Sequence, residues 1–261
     1  MRPTDVTEAA TLLWSHWRAG TRLPALPPHC RPADRAGGYA VQAALARLSG
    51  QPVVGWKIAA TSAAGQRHIG VDGPLAGRML RDRVLAPGAR VPLSGNTMRV
   101  AEVEFAFRMA RALPPRPDPY PLSEVMEAVG SLHPSVEVPD SRFDDFVRVG
   151  APQLIADDAC ACWLVLGAAA ACDWRALDLA AHPVQASIGG RTVAEGSGAA
   201  ALGDPRVALG WIANELRVHG PGLAAGDVVT TGTCVVPVPV APGDAFEARY
   251  GPIGSLAVSF G

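Results

Sequence analysis

Between Arg99 and Met109 the chain alternates in a period of two. Val103, Phe105 and Phe107 fall on one side of an extended strand, and Glu102, Glu104 and Ala106 on the other. Other stretches follow the helical period. Leu12, Leu13, His16 and Trp17 form a stripe in a first helix, with Asp5 as its cap and Glu8 three residues on. A second helix is expected from near Pro32, with Val41, Ala44, Leu45 and Leu48 as its apolar face and Gly50 as its stop. Gly37 and Gly38 blur where it begins.

From Pro52 the pattern turns to strands. Val53 to Ile58 reads as one, and Ser62 then caps a short helix toward Gly70. Prolines 114, 115, 117, 119 and 121 mark a connection, after which Ser123 caps a helix toward Gly130. Val136 to Val138 predicts a short strand, and Ala159 to Leu166 a buried one. Gly189-Gly190 joins two strands as a hairpin. The clearest helix runs from Asp204 to His219, with Asp204 as N-cap, Pro205 in the first turn and Gly220 just past the end. Strands are expected at Asp227 to Thr231, Ala245 to Tyr250 and Ser255 to Phe260. Helices first and a strand-rich body after them predict an α+β fold with a mixed sheet. Residues 1–50 form the helical region and residues 51–261 the β-rich body. The two are read as one functional unit, because the candidate chemistry lies on both sides of the proline-rich connection.

Composition narrows the function classes. In 261 residues, 49% are apolar and 18% charged, which describes a globular protein and excludes a disordered one. A formal net charge of −1 offers no field for nucleic acid or an anionic membrane. No apolar run reaches the roughly 18–20 residues that span a bilayer, and the N-terminus lacks the apolar core of a signal peptide. A soluble, cytoplasmic protein is the expectation. Five cysteines in scattered positions do not form a disulfide framework, and Cys160 and Cys162 read as small buried residues. Lys57 is the only lysine among 23 basic residues. Either a coding bias toward arginine left this one lysine by chance, or the position needs an amine able to give up a proton, which arginine cannot do. Between Trp56 and Ile58 an apolar setting is expected to lower its pKa.

Glu102 and Glu104, two apart on a strand, share a face and repel unless a cation lies between them. Oxygen donors of this charge suit Mg²⁺ or Mn²⁺. A solvated strand face is the alternative, weakened by the fully apolar opposite face and by Ala106 continuing the acidic one. Glu137, between Val136 and Val138, would complete a set of three carboxylates with positions open to substrate and water. Thr230, Thr231 and Thr233 around Gly232 could hold a substrate carboxylate or simply shape a turn. His68 and His133 are acid–base candidates without a visible orienting partner. No nucleophile elbow, phosphate loop or dinucleotide fingerprint occurs in a fitting context.

Several ordered stretches resemble the 2-keto-4-pentenoate hydratase family, within the wider fumarylacetoacetate hydrolase fold. They are Gly55-Trp56-Lys57-Ile58 with Thr61-Ser62 and Gly70-Val71-Asp72; Glu102-Val103-Glu104-Phe105; and Pro134-Ser135-Val136-Glu137 with Asp140-Ser141-Arg142. Gly226-Asp227-Val228, Thr231-Gly232-Thr233 and Pro239 to Asp244 complete the set, and the likeness covers nearly the whole chain. It implies a mixed β-roll with N-terminal helices, a homo-oligomer, and Mg²⁺ or Mn²⁺ on Glu102, Glu104 and Glu137. It implies Lys57 as the catalytic residue. Thr231, Thr233, Leu75 and Cys160 are the positions expected to bind substrate. The implied reaction is addition of water to a small 2-hydroxy-2,4-dienoic acid, giving a 4-hydroxy-2-oxo acid. Two departures stand out. Leu75 occupies a position where many hydratases of the family carry an Asp, and Asp157-Asp158-Ala159-Cys160 replaces the usual Asp-Asn-Ala-Ser. Related decarboxylases of 2-oxo-dienedioates also lack that Asp, so decarboxylation is the closest alternative. Hydrolysis of an acylpyruvate-like C–C bond would need a water-activating His–Glu pair. A non-catalytic partner subunit of the same fold is the remaining reading.

Overall fold

The computed structural model describes residues 1–261. Two helices come first, α1 (Pro3–Ala19) and α2 (Arg35–Ser49). Neither begins as the sequence suggests. Asp5 lies inside the first turn of α1 and pairs with Arg2, which holds the cap position without a side-chain bond. Asp34 caps α2 by accepting from Gly37 N. The buried face of α1 is Asp5, Ala9, Ala10 and Leu13, because small side chains, not the large Leu12 and Trp17, let it approach α2. Leu48 is exposed. Gly50, in the left-handed conformation, ends α2 as expected.

The body follows as β1 (Val53–Ala59), α3 (Ala63–His68), β2 (Leu75–Leu80), β3 (Val84–Leu85), β4 (Arg90–Val91) and β5 (Val100–Met109). Next come α4 (Leu122–Glu127), β6 (Val129–Val138), α5 (Ala151–Ala156) and β7 (Trp163–Leu166). The chain closes with β8 (Pro183–Ile188), β9 (Arg191–Ser197), α6 (Pro205–His219), β10 (Val228–Thr233), β11 (Val238–Pro239), β12 (Ala245–Arg249) and β13 (Ser255–Phe260). One mixed sheet runs β2-β1-β10-β5-β6-β7-β3, with β11 added beside β5; a second runs β4-β13-β12-β8-β9. The fold is α+β, with a mixed sheet; two helices precede the strands, and α3 to α6 are interspersed among them. No helix is long and apolar enough to cross a membrane.

Each difference from the predicted elements has a local cause. Strand β2 is hidden in the sequence because Gly77 and Arg78 interrupt its apolar run, yet all six residues are buried. Strand β6 is ten residues long, not three; Gly130 and Pro134 disguise it, and Pro134 sits opposite Phe105 in mid-strand. Ser123 lies within α4, which Pro121 precedes without a side-chain cap. The run expected as a strand from Ala159 starts only at Trp163, since Asp158, Ala159 and Cys160 take φ of 57°, 49° and 62°. Asp204 does cap α6, accepting from Arg206 N at 2.7 Å. Asp204→Ala is expected to cost about 1 kcal/mol, seen as a lower denaturant midpoint with unchanged slope; an unmoved midpoint would show that this cap contributes nothing.

The main core lies between the two sheets. Val103, Phe105 and Phe107 face it from β5, and Phe246, Ala248 and Leu256 from β12 and β13. The Phe105 and Tyr250 rings meet edge-on at 5.4 Å between centroids. Burying this face of β5 forces its acidic face to the other side of the sheet. A smaller cluster on that side, including Met79, Ala106, Leu164 and Val228, borders the carboxylates.

Candidate metal centre

Pairing of β5 with β6 sets Glu137 directly across from Glu102, and Ser135 across from Glu104. Tyr250, reaching from the second sheet, fixes that register: its hydroxyl lies 2.7 Å from Ser135 O and 2.9 Å from Glu104 O. Oxygens from Glu102, Glu104 and Glu137 all lie within 4.8 Å of one another. Glu104 and Glu137 are buried and Glu102 is half-buried, so the cluster opens toward solvent on the Glu102 side.

Lys57 joins it from β1. Three strand spacings separate β1 from β6, about 14 Å in a flat sheet. Its Nζ nevertheless stands 2.9 Å from Glu137 Oε1, so the sheet must curl toward its acidic face. The ammonium also donates to Ala159 O at 3.1 Å. That carbonyl belongs to the left-handed turn 158–160, which lies against β2. Gly77 permits the approach, because a Cβ there would overlap the Asp158 carbonyl. The turn is anchored beneath by the buried Arg142–Asp157 pair, by Arg142 Nη1 donating to Ala161 O at 3.0 Å, and by Arg78 N donating to Asp158 Oδ1 at 2.6 Å.

Electrostatics show what the cluster suits. Burial pushes all three carboxyl groups up, Glu102 to about 7, and mutual repulsion adds for Glu102 and Glu104; Lys57 opposes the rise in each. Glu137 takes no backbone donor: Lys57 faces its Oε1, and the buried Thr230 hydroxyl lies beside it. Only Glu104 has backbone support, accepting from Gly232 N at 2.8 Å. Gly232 provides it from a bulge in β10 at φ 97°, where a Cβ would run into Thr61. One ammonium against three carboxylates leaves two formal negative charges in a desolvated pocket, which a divalent cation would balance. Carboxylate oxygens are the donors such a cation takes.

The environment of Lys57 corrects one expectation. Burial does pull its ammonium down, but Glu137, Glu102 and Glu104 outweigh that pull, and its pKa is raised rather than lowered. Local sequence shows Trp56 and Ile58; those side chains occupy the opposite face, where Lys57 does not point.

The remaining candidates separate by where their polar atoms go. Thr231 donates to Phe105 O at 3.0 Å and Thr233 to Val235 O at 2.8 Å, so both hydroxyls serve the backbone. Thr230 differs: its buried hydroxyl lies beside the Glu137 carboxylate. Leu75, across from Ala59, is fully buried on the same face as Lys57. Cys160 is buried beside Lys57, its thiol pushed up to about 12 by burial. His133 has Nδ1 2.9 Å from Gly167 O and Nε2 2.9 Å from Ser131 Oγ, so both nitrogens are engaged, and burial lowers its pKa. His68 is exposed, edge-on to Phe146. Sequence reasoning missed the Ala159 carbonyl and the Arg142–Asp157 anchor. A backbone acceptor carries no residue signature, and that ion pair is recognisable only once both partners are known to be buried.

The chain matches the fumarylacetoacetate (FAA) hydrolase C-terminal family over residues 71–260. It is 32% identical to a 2-keto-4-pentenoate hydratase of Paraburkholderia xenovorans (strain LB400), covering 100% of this chain and 96% of that protein. It is also 32% identical to a 2-hydroxyhexa-2,4-dienoate hydratase of Comamonas testosteroni over 83% of this chain and 81% of the relative. In three dimensions it superposes on 4-oxalocrotonate decarboxylase from Pseudomonas putida G7, complexed with magnesium and adipate. The TM-score is 0.89 at 26% identity, over 100% of this chain and 98% of that one.

Proposed function

This chain belongs to the fumarylacetoacetate hydrolase family, in its 2-keto-4-pentenoate hydratase branch, and from that premise we propose that it adds water to a 2-hydroxy-2,4-dienoate, giving a 4-hydroxy-2-oxo acid. It is a lyase of the hydro-lyase class. The observation that carries the reading is the convergence of three carboxylate oxygens within 4.8 Å with Lys57 in contact.

Glu102, Glu104 and Glu137 would hold a divalent ion, with Mg²⁺ or Mn²⁺ matching their hard oxygen donors. Such an ion, when bound, supplies Lewis-acid polarisation of the 2-oxygen and carboxylate of a 2-oxo acid. The protein's own groups supply the rest. Lys57 Nζ, held by Ala159 O and kept charged by its carboxylate neighbours, is the acid that protonates the end of the diene. It regains a proton from the 2-hydroxyl. The resulting 2-oxo-3-enoate takes water at C4 and a proton at C3. The Thr230 hydroxyl, beside Glu137, can orient that water or a substrate oxygen, and Leu75 keeps the carbon chain in apolar surroundings. Burial of Glu104, Glu137 and Lys57 excludes bulk water and strengthens each of these interactions. Homo-oligomeric assembly, which the family likeness implies, belongs to the same proposal.

Leu75 favours a second reading. On the Lys57 face it offers no carboxylate to activate water, and the protein with TM-score 0.89 is named a decarboxylase. Purified protein with Mg²⁺ or Mn²⁺ and 2-hydroxy-2,4-pentadienoate is expected to bleach the diene chromophore, forming the 4-hydroxy-2-oxo acid. Excess chelator should stop it. Carbon dioxide release from a 2-oxo-dienedioate, without bleaching of the monocarboxylate, would replace hydration by decarboxylation. No turnover of either substrate would leave the partner-subunit reading.

A further inference from the structure

A second group of donors lies outside the carboxylate cluster, where α1 meets the turn leading into α2. Glu8 Oε1 is 2.8 Å from His29 Nε2, and the Cys30 thiol lies with them, the three donor atoms all within 4.8 Å of one another. We propose that Glu8, His29 and Cys30 form a binding site for a zinc-class transition metal ion that staples the first helix to this turn. The proposal does not rest on the catalytic reading.

Donor chemistry separates the two sites. Glu102, Glu104 and Glu137 offer oxygen only, which suits hard ions. A thiolate, an imidazole and a carboxylate together suit borderline ions such as Zn²⁺ or Co²⁺. Geometry supports the assignment. The turn is held from several directions: Arg31 Nε and Nη2 both donate to Leu26 O at 2.9 and 2.7 Å, Cys30 N donates to Pro27 O at 3.1 Å, and Leu26 N donates to Gln153 Oε1 at 2.9 Å. Cys30 is thereby fixed with no exposed surface, yet its sulfur makes only a long 3.6 Å contact to Pro27 O. His29 and Glu8 are half exposed, with side chains 55% and 49% accessible, so an ion can enter and keep a water as a fourth ligand. On binding, the Cys30 thiol proton passes to solvent and the thiolate takes the metal. The His29–Glu8 hydrogen bond opens so that both become ligands.

Co²⁺ titration of the full-length protein distinguishes this site from the oxygen-only centre, because only thiolate ligation produces an intense near-ultraviolet sulfur-to-cobalt band. The band is expected in the wild-type protein, absent from Cys30→Ser, and retained in Glu104→Gln. His29→Ala, a change at an exposed position that leaves the core untouched, should weaken Co²⁺ binding at this band by about tenfold or more. The proposal is overturned if no band appears, if it survives Cys30→Ser, or if His29→Ala leaves the affinity unchanged.

Discussion

Glu104→Gln is expected to lower kcat/KM by at least about 10³-fold, equivalent to about 4 kcal/mol of transition-state stabilisation, while leaving the fold intact. Gln still presents an oxygen to Gly232 N, so the bulge in β10 keeps its partner. What disappears is one of three charges. The metal-free variant should therefore be at least as stable as the parent, because burial and repulsion penalise a charged Glu104. Divalent-metal affinity should fall in parallel, read by calorimetric titration with Mn²⁺. The pH dependence has a definite sign. Glu102 is raised to about 7 in the metal-free protein, and a carboxyl with a raised folded pKa is neutral below that value and charged above it. Stability of the metal-free protein should thus decline as pH rises from about 5 through 7, and metal affinity should rise over the same range. Wild-type turnover and wild-type Mn²⁺ affinity in Glu104→Gln would remove the carboxylate cluster from the reaction.

Lys57→Arg tests the other half of the site. Arginine preserves the positive charge facing Glu137, but its planar guanidinium cannot place a transferable proton where the Lys57 ammonium stands between Glu137 and Ala159 O. Turnover is expected to drop by about 10²–10⁴-fold, the usual worth of a positioned acid or base, with metal binding retained. Lys57→Met serves as the contrasting variant. It leaves Glu137 buried without its countercharge, so the metal-free protein should also lose about 3–5 kcal/mol of stability, part of which added Mn²⁺ should restore. Kinetics with saturating metal and a denaturant melt separate the two effects. Full activity in Lys57→Arg would show that proton transfer runs through another group.

Two features make the carboxylate site legible in the amino-acid sequence. Glu102 and Glu104 stand two apart opposite a wholly apolar face, and a single lysine remains in an arginine-rich chain. Joining Glu137 to them is harder, since Pro134 hides the strand that bears it. Thr230 cannot be separated from Thr231 and Thr233 by residue type, because three nearby hydroxyls look alike until a bulge sends two of them to backbone acceptors. The start of the first helix misleads for a related reason: Asp5 resembles a cap by type and spacing, but Pro3 starts the helix ahead of it.

By itself the sequence determined the elements with strong local rules: the alternation of β5, the Asp204 cap of α6, and the turn at Gly189-Gly190. It determined as well that two acids share one strand face, since backbone geometry alone imposes a period of two. Only the tertiary structure decided that Lys57 reaches Glu137 across a curled sheet, that the Ala159 carbonyl holds it, and that its pKa rises instead of falling. Those outcomes depend on strand order, curvature and the charges a side chain meets across the fold. They come from the packing of the whole chain, which no short window of residues contains.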